Sequence, residues 1–356
     1  MKKHNFYAGP AILPQSVLQA ASNAVLDFNG SGLSLLEISH RSKDFESVMA
    51  EAESLVKQLF SISDDYSVLF LTGGASTQFF MIPMNLLKDG ETSYYINTGV
   101  WASGAIKEAK HYGNPVVLAS SEQDQFSYIP RDFNVPNDGA YLHITSNNTI
   151  YGSQYHWWPK SSIPVVCDMS SDLFSRTVDG NQFALIYAGA QKNLGPAGVT
   201  LVVIRKDLLE RSGRKLPSML NYKTHADKGS MYNTPPVFPI YVSMLTMRWI
   251  LEQGGTNAMG MRNQEKSDLL YQEIDRNSCF RGTVKPEDRS QMNVVFVPTK
   301  AEYESEFLDL CKKNNCVGLS GHRSVGGFRA SLYNALELES VKVLVELMQE
   351  FERTHL

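Results

Sequence analysis

The chain has 356 residues, 43% of them hydrophobic and 20% charged, with a formal net charge of -4 at pH 7. That length suggests about two domains with a sizeable core, and the charge balance excludes a broad attraction to nucleic acid or to an anionic membrane. No apolar run approaches the roughly 20 residues of a membrane helix, and the lysines of residues 1–10 lead into no apolar stretch, so neither a membrane span nor a secretory signal is expected.

In chain order, residues 5–13 read as a loop around Gly9 and Pro10. Val17, Ala20, Ala21, Ala24, Val25 and Phe28 recur at helical spacing and predict a helix over 16–28, stopped by Gly30 and Gly32. Glu37-Ile38-Ser39-His40-Arg41-Ser42 precedes a second helix over 45–60. The apolar run 68–71 ends in Thr72-Gly73-Gly74-Ala75-Ser76-Thr77-Gln78, a strand, a tight turn and a helix start. The free N–H groups of such a start bind phosphate, although an ordinary capped turn shows the same residues. Strands follow over 94–97, 116–119, 141–145, 164–167, 183–187 and 199–204, with a helix over 100–110. Several of these runs are apolar without alternation, as strands covered on both faces are. The pattern predicts an α/β fold built on a doubly wound, mostly parallel sheet.

Residues 216–239 read as loop-rich, and helices over 240–252 and 257–276 follow, separated by Gly254-Gly255. The remainder reads as α+β: a strand over 293–297, a helix over 303–313, a short strand over 316–319, a turn and strand over 321–331, and a closing helix over 338–351. The expected organisation is an N-terminal segment 1–15, a large domain 16–255 and a smaller C-terminal α+β domain 256–356. The four cysteines, Cys167, Cys279, Cys311 and Cys316, form no CxxC pair and no His cluster joins them. They are expected to be reduced, buried thiols of a cytosolic protein, with no metal site.

Ligands of doubly wound sheets sit outside the carboxyl ends of the strands. Five polar or aromatic groups fall at such ends here: Thr72-Gly73-Gly74, Trp101, Asn148-Thr149, Asp168 and Lys192. Lys192 stands among small residues between two apolar strands. Desolvation there disfavours its charged form and makes it a nucleophile suited to a carbonyl cofactor, whereas a plain turn would send it outward. Beside such a lysine, Asp168 gains a role against the ring nitrogen of a pyridine-type cofactor, and Trp101 offers a stacking face; a strand-ending carboxylate and a core tryptophan are the plainer readings. His40-Arg41 and His322-Arg323, with Arg329 close to the second pair, lie in loops, where arginine forks meet carboxylates or phosphates more often than in helical charge runs.

Asn5-Phe6-Tyr7-Ala8-Gly9-Pro10-Ala11, Glu37-Ile38-Ser39-His40-Arg41, the stretch from Tyr187 through Gln191-Lys192-Asn193 to Gly198, Tyr232-Asn233-Thr234-Pro235-Pro236, the stretch from Gly321-His322-Arg323 to Phe328-Arg329-Ala330-Ser331, and Tyr333-Asn334-Ala335 together carry a family resemblance. Across nearly its whole length the chain resembles the phosphoserine aminotransferase family, class V enzymes of fold type I that use pyridoxal 5'-phosphate. The resemblance implies reversible amino transfer between glutamate and 3-phosphohydroxypyruvate in serine biosynthesis, and in some members a related reaction in pyridoxine biosynthesis. It implies that Lys192 bonds covalently to the cofactor, that Asp168 partners the ring nitrogen, and that Trp101 stacks on the ring. Ala75, Ser76, Thr149 and Gln191 would complete the cofactor site. Asn233 and Thr234 would reach the cofactor phosphate of a second subunit, which implies a homodimer. His40, Arg41, His322 and Arg323 would hold the substrate phosphate, and Arg329 the α-carboxylate. Some members carry an arginine where this chain has Ser76, so phosphate recognition would rest more on the two His-Arg pairs. A cysteine desulfurase or lyase of the same class, which needs a mobile thiol, and a catalytically silent cofactor-binding protein are the alternatives.

Overall fold

The computed structural model describes residues 3–355; Met1, Lys2 and Leu356, and with them the start of the N-terminal stretch read above, lie outside it. A two-residue strand β1 (His4–Asn5) is followed by α1 (Gln15–Leu26) and α2 (Lys43–Phe60). Ser42 caps α2 by accepting the Phe45 N–H, Asp44 and Glu46 lie in its first turn and Lys57 in its last, so local chemistry and the helix dipole agree. Its apolar face, including Phe45, Val48, Ala52 and Leu59, is buried. The chain continues through β2 (Tyr66–Leu71), α3 (Gly74–Leu86), β3 (Thr92–Asn97), α4 (Val100–Ala109), β4 (Asn114–Ser120), β5 (Leu142–Thr145), β6 (Val165–Asp168), β7 (Leu185–Gly189) and β8 (Thr200–Arg205).

These strands form a seven-stranded sheet in the order β2-β8-β7-β6-β5-β3-β4. The run from β7 to β4 is parallel, and β8 is antiparallel to both of its neighbours. Two antiparallel pairings through β8 restore the direction, so the carboxyl end of β2 lies on the same edge as those of β3, β5, β6 and β7. The sheet order reverses between β3 and β5, the kind of switch point at which ligands bind. One face of the sheet packs under α1, α2 and the later α6 (Val237–Glu252), around Phe70, Ile144 and Ile186. The other face packs under α3 and α4, around Leu69, Val166 and Tyr187. Burial on both faces is the reason the inner strands show no alternation, whereas the edge strand β4 is only half-buried.

Ahead of α6 lies a six-residue helix, α5 (Tyr222–Asp227), capped by the Asn221 side chain, which accepts the Lys223 N–H at 2.9 Å. The region read as loop-rich therefore holds a helix, too short for apolar periodicity to reveal. α6 begins three residues earlier than its periodicity indicates, because Pro239 sits in the first turn, where a missing N–H costs nothing. Next come α7 (Gly255–Arg276), β9 (Phe280–Gly282), β10 (Asn293–Pro298), α8 (Tyr303–Lys313), β11 (Cys316–Val317), β12 (Phe328–Ser331) and α9 (Leu338–His355).

A second core gathers around Phe280, whose ring meets Phe296, Phe307, Phe328 and Phe351. It is closed by the antiparallel sheet β12-β10-β9. Phe6 belongs to this core, and β1 pairs in parallel with β11 through His4↔Cys316 and Asn5↔Val317. The amino-terminal loop is thus anchored on the later part of the chain before it crosses to the large sheet. Among the described residues no helix is long and apolar enough to cross a membrane.

Candidate active site

A cavity of about 350 Å³ opens at the switch point. The turn after β7 supplies Gln191 and Lys192, the end of β6 supplies Asp168, Ser170 and Ser171, and the segment after β5 supplies Asn147, Thr149 and Ile150. The first turn of α4 contributes Trp101, the first turn of α3 contributes Gly74, Ala75 and Ser76, and His322 and Arg329 close the wall from the second core. Of the five strand-end groups read from the sequence, Trp101, Asp168 and Lys192 line the cavity, Asn148-Thr149 reaches it through Thr149, and Thr72-Gly73-Gly74 reaches it through Gly74.

The turn that carries Lys192 is tight. Lys192 N and Gly195 N both donate to Ala190 O, at 2.7 and 2.8 Å, and Ala190 N donates to Val199 O at 3.1 Å. From the amino-terminal segment Ala11 N donates to Gln191 O at 3.0 Å, and at Gly9, whose φ is +142°, an added Cβ would lie 3.4 Å from Lys192 Cγ. The lysine is buried, and its Nζ donates to Thr149 Oγ1 at 2.8 Å. Burial pushes the amine down to about 8; Asp168 opposes that shift and Arg329 adds to it.

Asp168 is buried as well, and burial raises its pKa against the hydrogen bond from Ser170 N at 2.9 Å and the attraction of Lys192. For both groups desolvation outweighs the mutual attraction. Each is poised for a charged partner in the cavity.

Trp101 keeps 37% of its surface exposed although it lines a cavity, so its ring is an open wall rather than core packing. The turn beneath it requires Gly99, where an added Cβ would strike the Asn148 amide that donates to Thr98 O. α3 starts from Gly73 and Gly74, with φ of +98° and +71°, and Gly74, Ala75 and Ser76 of its first turn line the cavity. Arg329 donates from Nη1 to Thr149 O at 3.3 Å, while its buried Nε meets no partner among the described residues. Thr145 Oγ1 is likewise buried and unpartnered on the same wall. Burial, and after it Arg329 and Arg323, lower the pKa of His322.

Five of the residues singled out lie off this wall. Arg41, Arg323, Asn233 and Thr234 are exposed, and His40 is half-buried with Nε2 unpartnered among the described residues. Asn233 instead borders a smaller cavity of about 160 Å³ behind Gly73 and Thr77. The sequence reading missed Thr145, Asn147, Ser170 and Ser171. The polar run Asp168-Met169-Ser170-Ser171-Asp172 directly after an apolar strand was the available signal. None of the four cysteines lines the cavity; all are buried and unpaired, and burial raises each thiol.

The profile of the family described as Aminotransferase class-V matches residues 3–344. A phosphoserine aminotransferase of Flavobacterium psychrophilum is 56% identical over 353 residues, covering 99% of each chain. Among solved structures, the phosphoserine aminotransferase from Bacillus circulans subsp. alkalophilus is 46% identical with a TM-score of 0.97, covering 99% of each chain. A PLP-bound phosphoserine aminotransferase from Trichomonas vaginalis is 35% identical with a TM-score of 0.93, covering 98% of this chain and all of that one.

Proposed function

Since the chain belongs to the class V aminotransferase family, among its phosphoserine aminotransferases, we propose that it transfers the amino group of glutamate to 3-phosphohydroxypyruvate, giving 3-phosphoserine and 2-oxoglutarate. The observation that carries this reading is the buried Lys192 amine, which shares one cavity with the Asp168 carboxylate and the Arg329 guanidinium. The cofactor is pyridoxal 5'-phosphate, and the cavity suits it. Its wall offers an amine for the aldehyde, a buried acid for the ring nitrogen, an open indole face for the ring and a helix start for the phosphate. When bound, pyridoxal phosphate supplies an aldehyde that can take up an amino group and a ring that accepts electron density.

The residues divide the remaining work. Lys192 Nζ takes the proton from the glutamate α-carbon and, in the second half of the reaction, gives one to the α-carbon of the new amino acid, and a pKa brought to about 8 suits a base near neutral pH. Thr149 Oγ1 fixes the direction of Nζ. Asp168 presents a buried negative charge that favours a protonated ring nitrogen. Arg329, with an unpartnered Nε, forks onto the substrate α-carboxylate. His322 lines the same cavity and, with Arg323, takes the distal anion; glutamate and the phosphorylated substrate share this site because each has an α-carboxylate and a distal anion.

His40, Arg41, Asn233 and Thr234 complete the site from a second copy of the chain. Their distance from their own cavity wall supports that reading, as do the exposed Leu33, Leu36 and Tyr232 beside them in sequence. The four unpaired thiols support a cytoplasmic enzyme, and their burial away from the cavity disfavours a desulfurase. A coupled assay of glutamate with 3-phosphohydroxypyruvate, beside unphosphorylated hydroxypyruvate, tests the proposal. The phosphorylated acceptor is expected to be used with a kcat/KM higher by about two orders of magnitude, as fits loss of charge-assisted contacts. Equal efficiency on both would remove the phosphate role of the His-Arg pairs, and the absence of any glutamate reaction would remove the function itself.

A further inference from the structure

Lys266 on α7 takes no part in this chemistry, yet it is only 2% exposed. Its Nζ donates to three backbone carbonyls, Leu332 O at 2.8 Å, Tyr333 O at 2.9 Å and Leu336 O at 3.1 Å. Among the described residues, the charged group that acts on it is Arg262, of like sign. Three carbonyl oxygens converging at this range are what a monovalent metal ion accepts in place of its hydration shell. A neutral amine has two N–H groups and would leave one carbonyl unmet. The cradle therefore favours the ammonium, against burial and Arg262, which push the group down to about 7.

The carbonyls belong to the turn between β12 and α9, and that turn is wired to the cavity. Tyr333 donates its hydroxyl to Ala8 O at 2.8 Å, and Ala8 lines the wall. Asn334 N donates to Asn193 Oδ1 at 3.0 Å, directly after Lys192. Leu332 N donates to Met292 O at 2.7 Å, three residues beyond Arg329. Asn263, one turn before Lys266 on α7, donates to Asn334 Oδ1 at 2.8 Å.

We propose that Lys266 is a positioning residue whose side chain serves as a built-in monovalent cation, gathering the 332–336 turn so that Arg329, Ala8 and Asn193 keep their places around the substrate. The inference rests on the aminotransferase reading for its effect on substrate, but not for the cradle itself.

Two variants of the full-length, cofactor-loaded enzyme test it. Lys266→Met fills the space without charge or donors; Lys266→Ala opens the space and leaves the carbonyls facing it. Both are expected to raise the glutamate KM about tenfold while kcat stays within about threefold, the pattern of lost binding rather than lost chemistry. Ammonium chloride is expected to lower that KM and to raise the unfolding midpoint in Lys266→Ala alone, and tetramethylammonium at equal ionic strength is expected to do neither. A parental KM in Lys266→Met, or a Lys266→Ala chain indifferent to ammonium in both readouts, overturns the inference. Should Lys266→Met not fold, Lys266→Gln takes its place with the same expected rise in KM, and a parental KM there is equally fatal. The midpoint measurement needs no substrate, so a parent chain inert toward glutamate would overturn the aminotransferase reading separately.

Discussion

A buried lysine amine is a liability to a folded chain until something binds it, and Lys192 shows how large that liability is. Its pKa lies near 8 rather than 10.5, so the folded state favours the neutral amine more than the unfolded state does. Below about pH 8 both states are protonated and the full penalty applies; as pH rises from 8 toward 10.5 the penalty fades. Lys192→Met is thus expected to be more stable than the cofactor-free parent by up to roughly 3 kcal/mol at pH 7, with the gap narrowing by pH 10. Urea unfolding of both cofactor-free chains at the two pH values measures this, and a parent as stable as the variant at pH 7 would contradict it. That Lys192 stands among small residues between apolar strands was legible in the chain itself. Lys266 was not: within Gln264-Glu265-Lys266 it looks like one more charge on a solvated helix face, and only the turn after β12 reveals its partners.

At the scale of elements, the start of α3, the proposed phosphate site, is built on a glycine pair. Gly73 has a φ of +98°, and a methyl group added there would collide with Thr77 Oγ1, which donates to Gly73 O at 2.7 Å. Gly73→Ala is therefore expected to unwind the first turn of α3, swing its N–H groups off the cofactor phosphate and weaken cofactor affinity by about tenfold or more. Fluorescence titration of the stripped enzyme with pyridoxal phosphate gives the number, and an unchanged affinity would mean that this helix start does not hold the phosphate. Inner strands of the large sheet such as β6, β7 and β8 were readable because both faces are buried and the runs are largely apolar. β1, β9 and α5, of two, three and six residues, were not, because such short pieces carry no periodicity and are defined by their partners.

At the scale of the whole molecule, the proposed site draws on two copies of the chain. A protomer carrying Lys192→Ala and one carrying Asn233→Ala with Thr234→Ala are each expected to be inactive or weak alone. Mixed and refolded together, they should regain activity in heterodimers, since one of the two sites then combines an intact Lys192 with an intact Asn233 and Thr234. Activity of the mixture no greater than the sum of its parts would place those residues outside the partner's site. His40, Arg41, Asn233 and Thr234 were all legible by resemblance, yet a single chain does not bring them to its own cavity wall.

The amino-acid sequence by itself determined the α/β class, the family, the strand-end residues and the lysine proposed to carry the chemistry, because those depend on hydropathy patterns and on motifs local to the chain. The tertiary structure alone decided that the amino-terminal segment pairs with β11 and passes beside Lys192, that Thr145, Asn147, Ser170 and Ser171 join the wall, and that the buried Lys266 amine stands among three carbonyls. Each of these joins groups far apart in the chain, and whether a polar side chain is solvated or desolvated depends on which neighbours the fold brings to it rather than on its own type or spacing.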